Sequence, residues 1–473
     1  MRMHLLVEHV LRTAEEQGLW IPNDTIIVAV SGGPDSVALL HIMHEISQHH
    51  IPLKLICAHV HHGFRVESDE EALMVKNIAA ALDIPFVMEA VDVPAYIKET
   101  GKGPEEAARD KRYEFLIRTA LKFGARSIAL GHHADDQAET VLLHLLRGSG
   151  PTGLVGMKFN RTIKNVELIR PLLRIYKTDL VDVCENEKFM FAIDPSNLEA
   201  KYRRNEIRLD ILPFLGQYNG QITQALNQLS SLMTAEDDYM EQAAEKLYRE
   251  SVQTSDGRFT FEVPFFTRLH VALQRRLIKL ILNYMSVDSE LADYVKIETL
   301  RGGMSEKSPS TWSRDLGGGF VCIREYDVIT FQPKPLMQRL RYTYQLNTVV
   351  SELMVGEIGK VLRMTVVPRN QKSWSRAELH EDEAVFDADQ LVFPLTVRCR
   401  QDGDTMKVMG LNGSKKVKDI LIDGKIPPSI RSQIPMILDG NNHMIWIPGL
   451  RRSIHAPVNQ HTTSVLHMSL EDA

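Results

Sequence analysis

The chain has 473 residues, 44% hydrophobic and 25% charged, with a formal net charge of −6. That length predicts roughly two to four domains of ordinary globular composition. No apolar run approaches the ~20 residues needed to span a membrane. The four cysteines (Cys57, Cys184, Cys322, Cys399) are far apart and form no CxxC pair, which argues against a disulfide framework or a cysteine-rich zinc site.

The first twenty residues form a short amphipathic pattern with acids inside it. They lack the apolar stretch and small-residue cleavage site of a signal peptide, so the expected compartment is the cytoplasm. Strand-like runs follow at 25–30, 53–60, 86–91 and 127–131, apolar and rich in branched residues. Helical patterns lie between them, notably 69–82 and 104–124; Pro104 opens the latter and Gly124 ends it. The alternation predicts an α/β fold, a doubly wound parallel sheet covered on both faces. Ligands of such sheets sit at the carboxyl ends of the strands. SGGPDS (31–36), HVHHGFR (59–65) and GHHADDQAET (131–140) each begin at or just after a strand end, so all three are expected on one edge.

Beyond residue 215 the pattern becomes mostly helical, with long amphipathic stretches at 220–250 and 269–285. DLGGGF (315–320) reads as a hairpin turn, with strands near 319–331. A third unit begins between 335 and 385. In it, strands within 395–406 and 443–450 flank a helix over 415–423. The expected domains are thus 1–215, a helical 216–335, and a small α+β 336–473. The negative total also hides an asymmetry: Arg398–Arg452 carries ten basic residues against five acids, a local field suited to phosphate backbones. A solvated mixed surface has the same composition.

SGGPDS joins a strand to a helix. Small residues let the backbone wrap an anion, and the first helical turn presents N–H groups to phosphate. Gly32 and Gly33 permit close approach, Ser31 and Ser36 add hydroxyls, and Pro34 suits a first helical position. The lysine of the GxxxxGKS/T loop is absent. Asp35 stands there instead, and an acid beside phosphate makes sense when Mg2+ lies between them. In GHHADDQAET, Asp136 and Glu139 are three apart and share a helix face. Two acids there could hold Mg2+ or an ammonium group, or simply stabilise the helix N-terminus. His59, His61 and His62, with His132 and His133, allow a competing reading as a metal-dependent phosphoesterase, which leaves SGGPDS unexplained. Arg203, Arg204 and Arg208 could reach nucleotide or RNA phosphates, or be a solvated basic helix end.

SGGPDS resembles the loop of the PP-loop ATP pyrophosphatases, which split ATP between its α- and β-phosphates. The wider set is similar to the tRNA(Ile)-lysidine synthetase family: SGGPDS, HHGFR, EEAARDKRY, GHHADDQAET, LLRGSG, RPLL, DPSN and RRNEIR, then RQDGD, KKVKDILID, KIP and WIPGLR. The likeness is dense over the first ~215 residues, weak in the middle, and resumes over the last ~80. It implies ATP and Mg2+ as cofactors, L-lysine as co-substrate and an isoleucine tRNA bearing a CAU anticodon as partner. It also implies adenylation of the wobble cytosine at O2, followed by attack of the lysine amine on C2.

By the same resemblance, Asp35 would help hold Mg2+, and Ser31 to Ser36, His59, Gly131 and His132 would bind ATP. Arg112, Asp136 and Glu139 would sit at the reaction site, with Arg204 or Arg208 beside them. Lys415, Lys416, Lys418 and Arg451 are the expected tRNA contacts, together with Arg204 and Arg208. A tRNA thiolase of the same fold is the nearest rival, but such enzymes typically use a cysteine, and none lies in the three edge motifs. Amide-forming NAD and GMP synthetases share SGGxDS but need no basic tRNA domain. The long helices leave a homodimer open.

Overall fold

The computed structural model describes residues 2–61, 67–192, 203–285, 293–305, 309–335, 340–370, 379–408 and 413–473. It divides into two compact units, 1–239 and 240–473. His62, the remainder of HHGFR, DPSN and Tyr202 lie outside the described residues.

The first unit opens with helix α1 (Met3–Gln17) and alternates through β1 (Thr25–Ala29), α2 (Pro34–His49), β2 (Lys54–His61), α3 (Glu67–Ala81) and β3 (Phe86–Ala90). It continues with α4 (Val93–Thr100), α5 (Pro104–Phe123), β4 (Ser127–Ala129), α6 (Ala134–Leu146) and α7 (Pro151–Leu154). Next come β5 (Asn160–Ile163), β6 (Val166–Ile169), α8 (Lys177–Asn186), α9 (Arg203–Glu206), a π-helical turn at Ile207–Ile211, α10 (Leu212–Gly216) and α11 (Ile222–Ser251). The strand order is β3-β2-β1-β4-β6-β5, and only the β5–β6 pair is antiparallel among these pairings. That antiparallel edge hairpin was not anticipated by the strand–helix alternation.

The central strands β1, β2 and β4 are buried on both faces, their successive side chains pointing opposite ways. Ile26, Val28, Leu55, Cys57 and Ala129 pack into one core with α1, α2, α3 and α8. Their neighbours Ile27, Ile56, Ala58 and Ile128 pack into a second core against Phe115 and Leu116 of α5. A fully buried isoleucine such as Ile27 contributes about 1.5–3 kcal/mol relative to exposure. The chain moves outward from β1 to β2 and β3 on one side, then returns to β4 on the other. The crevice between the ends of β1 and β4 is therefore a switch point of the strand order.

Helix α6 is fixed by a residue outside the anticipated site. Gln137 donates from Nε2 to the Val155 and Met157 carbonyls at 3.1 and 3.0 Å and to Ser230 Oγ at 2.8 Å, while its Oε1 accepts from Met157 N at 2.7 Å. Asn227 Nδ2 of α11 donates to the Ala134 carbonyl at 3.0 Å. These bonds set the rotation of the helix that carries Asp136 and Glu139.

In the second unit, helices Val263–Arg268, Val271–Tyr284 and Tyr294–Gly303 accompany a five-stranded antiparallel sheet. The anticipated hairpin is Thr311–Gly317 paired with Phe320–Glu325. The C-terminal part holds a five-stranded and a four-stranded sheet around a core that includes Phe386 and Trp446. Its helix starts at Val417 rather than at residue 415, because Ser414–Lys416 pairs as a strand with Thr405–Lys407. Among the described residues, no helix is long and apolar enough to cross a membrane.

Gly156 has φ +67°, and a Cβ there would lie 2.7 Å from Gln137 Oε1. Gly156→Ala should therefore destabilise the protein by at least about 1 kcal/mol, through backbone strain and displacement of Gln137. Urea denaturation checks this; a midpoint equal to wild type would show that the Gln137 contacts are dispensable.

Candidate active site

The SGGPDS loop leaves β1 and enters α2. Gly32 adopts φ +100°, a conformation that favours glycine. Ser36 closes the loop: its Oγ accepts from Ser31 N at 3.1 Å, lies 3.1 Å from Ser31 Oγ and donates to the Gly33 carbonyl at 2.9 Å. Pro34 takes the first helical position. Ala192 N donates to the Gly32 carbonyl at 2.9 Å and holds the loop from its other side.

The second motif lies against the first. A Cβ on Gly131 would come within 3.3 Å of the Ser36 backbone, so glycine permits the close approach of the two loops. A cavity of about 190 Å3 opens between them. Ser31, Gly33, Asp35, Ser36, Gly131, His132 and Arg112 line it, with Val30, Ala58, Val60 and Leu116 as an apolar wall. Gly32 and Pro34 shape the loop without lining that cavity. His59 does not line it either; its Nδ1 pairs with the Val30 carbonyl at 2.8 Å and supports the loop from within the sheet. His61 Nε2 lies 3.1 Å from Asp69. Among the described residues, no three His, Cys, Asp or Glu side chains are grouped to hold a metal by themselves.

Asp136 and Glu139 project from α6 with 8% and 1% exposure. Arg204 and Arg208 both reach both acids. Arg204 donates from Nη2 to Asp136 Oδ1 at 3.0 Å and from Nε to Glu139 Oε2 at 2.8 Å. Arg208 donates from Nη2 to Asp136 Oδ1 at 3.2 Å and from Nε to Glu139 Oε1 at 2.5 Å. The sequence offered these arginines to phosphates; the fold pairs them with the acids. Burial pushes the Asp136 carboxyl up, but His133 and Arg204 outweigh it and hold it below the usual range.

His133, which the sequence offered only as a candidate metal ligand in the competing reading, lies at the centre of the acids. Its Nε2 is 3.5 Å from Asp35 Oδ2 and 3.4 Å from Asp136 Oδ2, and its Nδ1 is 3.5 Å from Asp135 Oδ2. Asp136 Oδ2 also caps α6 by accepting from His133 N at 3.1 Å. Asp135 accepts from Lys177 N at 2.8 Å and ties α8 to the same corner. Burial pulls the His133 pKa down, but Asp135, Asp35 and Asp136 together raise it to about 9. His132 behaves oppositely: burial drops it to about 3 despite Asp136. Arg112, its pKa lowered mainly by burial, remains charged in the cavity wall.

Cys57, Cys184 and Cys322 are buried. Burial pushes the Cys57 thiol to about 12 and the Cys184 thiol to about 11, away from the thiolate. Of the anticipated tRNA contacts, Lys415 is paired with Asp423, whereas Lys416, Lys418 and Arg451 are exposed.

The imidazolium makes a pH prediction. The folded pKa of His133 is raised from 6.5 to about 9, so its stabilisation is complete below 6.5 and is lost as pH rises through 9. His133→Gln should cost on the order of 2–3 kcal/mol at pH 6, with the deficit shrinking toward pH 9.5. Denaturation at several pH values measures it; a deficit that stays constant would contradict a charged His133.

Known proteins resemble this chain. A PP-loop domain family model matches residues 6–215, and a TilS substrate C-terminal domain model matches 395–468. The tRNA(Ile)-lysidine synthase of Bacillus cereus is 35% identical over 449 residues, covering 92% of this chain and 90% of that protein. That of Bacillus licheniformis is 35% identical over 438 residues, covering 91% and 90%. Among solved structures, U34-tRNA thiolase NcsA from Methanococcus maripaludis is 18% identical, with a TM-score of 0.42 over 49% of this chain and 80% of that one. Identity at this level over nearly the full length of both chains, together with a PP-loop sheet and a matching C-terminal domain, shows that the chain belongs to the tRNA(Ile)-lysidine synthase family.

Proposed function

We propose that this protein ligates L-lysine to C2 of the wobble cytidine in the CAU anticodon of an isoleucine tRNA, consuming ATP. The observation that carries the reading is the convergence at one sheet edge of the SGGPDS loop and a buried acid pair, an anion site beside a cation site. The modification makes the tRNA read AUA and accept isoleucine.

In the first step the cytosine O2 attacks the α-phosphate of ATP, and pyrophosphate leaves. The loop amides and the α2 N-terminus take the departing phosphates, and Arg112 faces the same cavity. The apolar wall of Val30, Ala58, Val60 and Leu116 suits the nucleoside. In the second step the lysine Nζ, as free amine, attacks C2; the C2–O bond breaks and AMP departs with the oxygen. The amine proton passes to an acid of the Asp136–Glu139 pair or to solvent. That pair first holds the lysine ammonium, a seat that Arg204 and Arg208 fill in the structure. As the ammonium enters, the guanidiniums turn toward phosphate. Holding base, nucleotide and amine together lowers the barrier by several kcal/mol, roughly 7 or more in the best-oriented systems.

Mg2+ fits the edge. Asp35 Oδ1 is buried with no hydrogen-bond partner, and Asp35 and Asp136 both face one edge of the His133 ring. Mg2+ needs only one or two carboxylates besides substrate phosphate and water. When bound, the ion neutralises charge on the phosphates. Residues 1–215 form the catalytic domain in this reading, 216–335 a helical linker, and 336–473 the tRNA-gripping domain. Lys416, Lys418 and Arg451 present exposed charge for RNA phosphates.

Radiolabelled lysine, ATP and Mg2+ test the reading on an unmodified isoleucine tRNA bearing CAU, with the methionine tRNA of the same anticodon as control. Label resistant to mild alkaline deacylation should appear only on the isoleucine tRNA, and should fall at least ~100-fold in Asp35→Ala. Pyrophosphate release without lysine incorporation would mean that another nucleophile is used.

A further inference from the structure

Arg170, in the RPLL stretch, is a buried cation that no step of the reaction uses. It is 5% exposed and follows directly on β6, its N donating to the Phe159 carbonyl at 2.9 Å. Its Nη1 donates to the Lys158 carbonyl at 2.6 Å, while its Nε is buried with no hydrogen-bond partner. The groups that act on it most are Tyr113, Arg109 and Arg161, and none is a carboxylate. Burial draws its pKa down, yet a guanidinium stays charged in a protein. A buried charge that no acid meets is costly, and a core built for stability alone rarely keeps one.

The charge lies next to the catalytic cavity. Strand β6 pairs with β4, and Leu130 N donates to the Ile169 carbonyl at 2.9 Å, so Arg170 sits beside the Gly131–His132 turn. Tyr113, adjacent to Arg112 on α5, offsets the burial of Arg170 more than any other neighbour. The same Tyr113 lines the 190 Å3 cavity with Arg112 and Leu116. Its phenol oxygen thus meets a buried cation while its ring meets the cavity. The Arg109 and Arg112 guanidiniums lie 5.4 and 5.9 Å from the ring centroid, contacts that favour one setting of the ring.

A half-buried tyrosine on a cavity wall has side-chain freedom to lose when a ligand packs on it. Tying its oxygen to a fixed cation removes that freedom in advance. A flat ring among Ala58, Val60 and Leu116 suits a nucleobase. With the phosphates on the SGGPDS loop, the base of the same molecule reaches that wall. We infer that the base of bound ATP packs against the Tyr113 ring, and that Arg170 is the positioning residue that fixes this ring through its phenol oxygen. The inference rests on the reading of this cavity as an ATP site.

The test compares ATP with inorganic pyrophosphate, which lacks the base, by titration calorimetry on the full-length protein with Mg2+ and without tRNA or lysine. Tyr113→Ala should weaken ATP binding about tenfold. Arg170→Met and Tyr113→Phe should each weaken it roughly three- to tenfold, and the two together no more than Arg170→Met alone. Pyrophosphate affinity should stay within about twofold of wild type in every variant, because the loop that holds it is untouched. Equal losses for ATP and pyrophosphate in Arg170→Met would overturn the inference, since Arg170 would then serve the phosphates or the fold. So would additive losses in the double variant, or unchanged ATP affinity in Tyr113→Ala. Should Arg170→Met melt below the assay temperature, Tyr113→Phe carries the test: unchanged ATP affinity there would overturn the positioning role. Lysine incorporation by wild type is read separately. Its absence, with the difference between ATP and pyrophosphate intact, would sink the ligase reading and leave the Tyr113–Arg170 assignment standing.

Discussion

A carboxylate with 1% exposure is costly to bury unless cations meet it, and Glu139 is met by two guanidiniums. Arg204 and Arg208 come from a segment far along the chain from α6, so the acid pair is met only where residues 203–208 pack against that helix. Removing one partner from a buried pair costs about 3–5 kcal/mol, largely because the other charge is then stranded. The acids are thus satisfied by the two guanidiniums.

The remaining geometry serves that constraint. The strand order reverses between β1 and β4, so two loops meet in a crevice that neither could form alone. Gly131 lets the second loop approach the Ser36 backbone, and the charged His133 ring keeps Asp35, Asp135 and Asp136 from repelling one another apart. Behind them, Gln137 locks the helix that presents the acids. The SGGPDS loop and the Asp136–Glu139 pair are thereby fixed at one sheet edge.

Much of this was legible from the residues. Apolar runs of branched residues marked the four parallel strands β1 to β4, and SGGPDS and GHHADDQAET marked the strand ends that bear the site. Periodicity could not disclose the β5–β6 hairpin, because NRTI and VELI are short and half polar. Nor could it say where Arg204 and Arg208 point: the same guanidinium suits a phosphate or a carboxylate, and only tertiary packing chooses. His133 and Gln137 stood inside a recognised motif yet gained their roles from partners that local pattern does not reveal, Asp35 for the first and Val155, Met157 and Ser230 for the second. Lys415 looked like its neighbours Lys416 and Lys418 until strand pairing set it against Asp423.

The account's central claim is that the base, not the amino acid, is activated on this edge. Isotope exchange between pyrophosphate and ATP tests it directly, with isoleucine tRNA present and lysine withheld. The account predicts exchange that requires the tRNA and proceeds without lysine, because the adenylated cytosine forms reversibly before the amine attacks. Exchange that requires lysine and ignores the tRNA would mean that lysine itself is adenylated, and would contradict it.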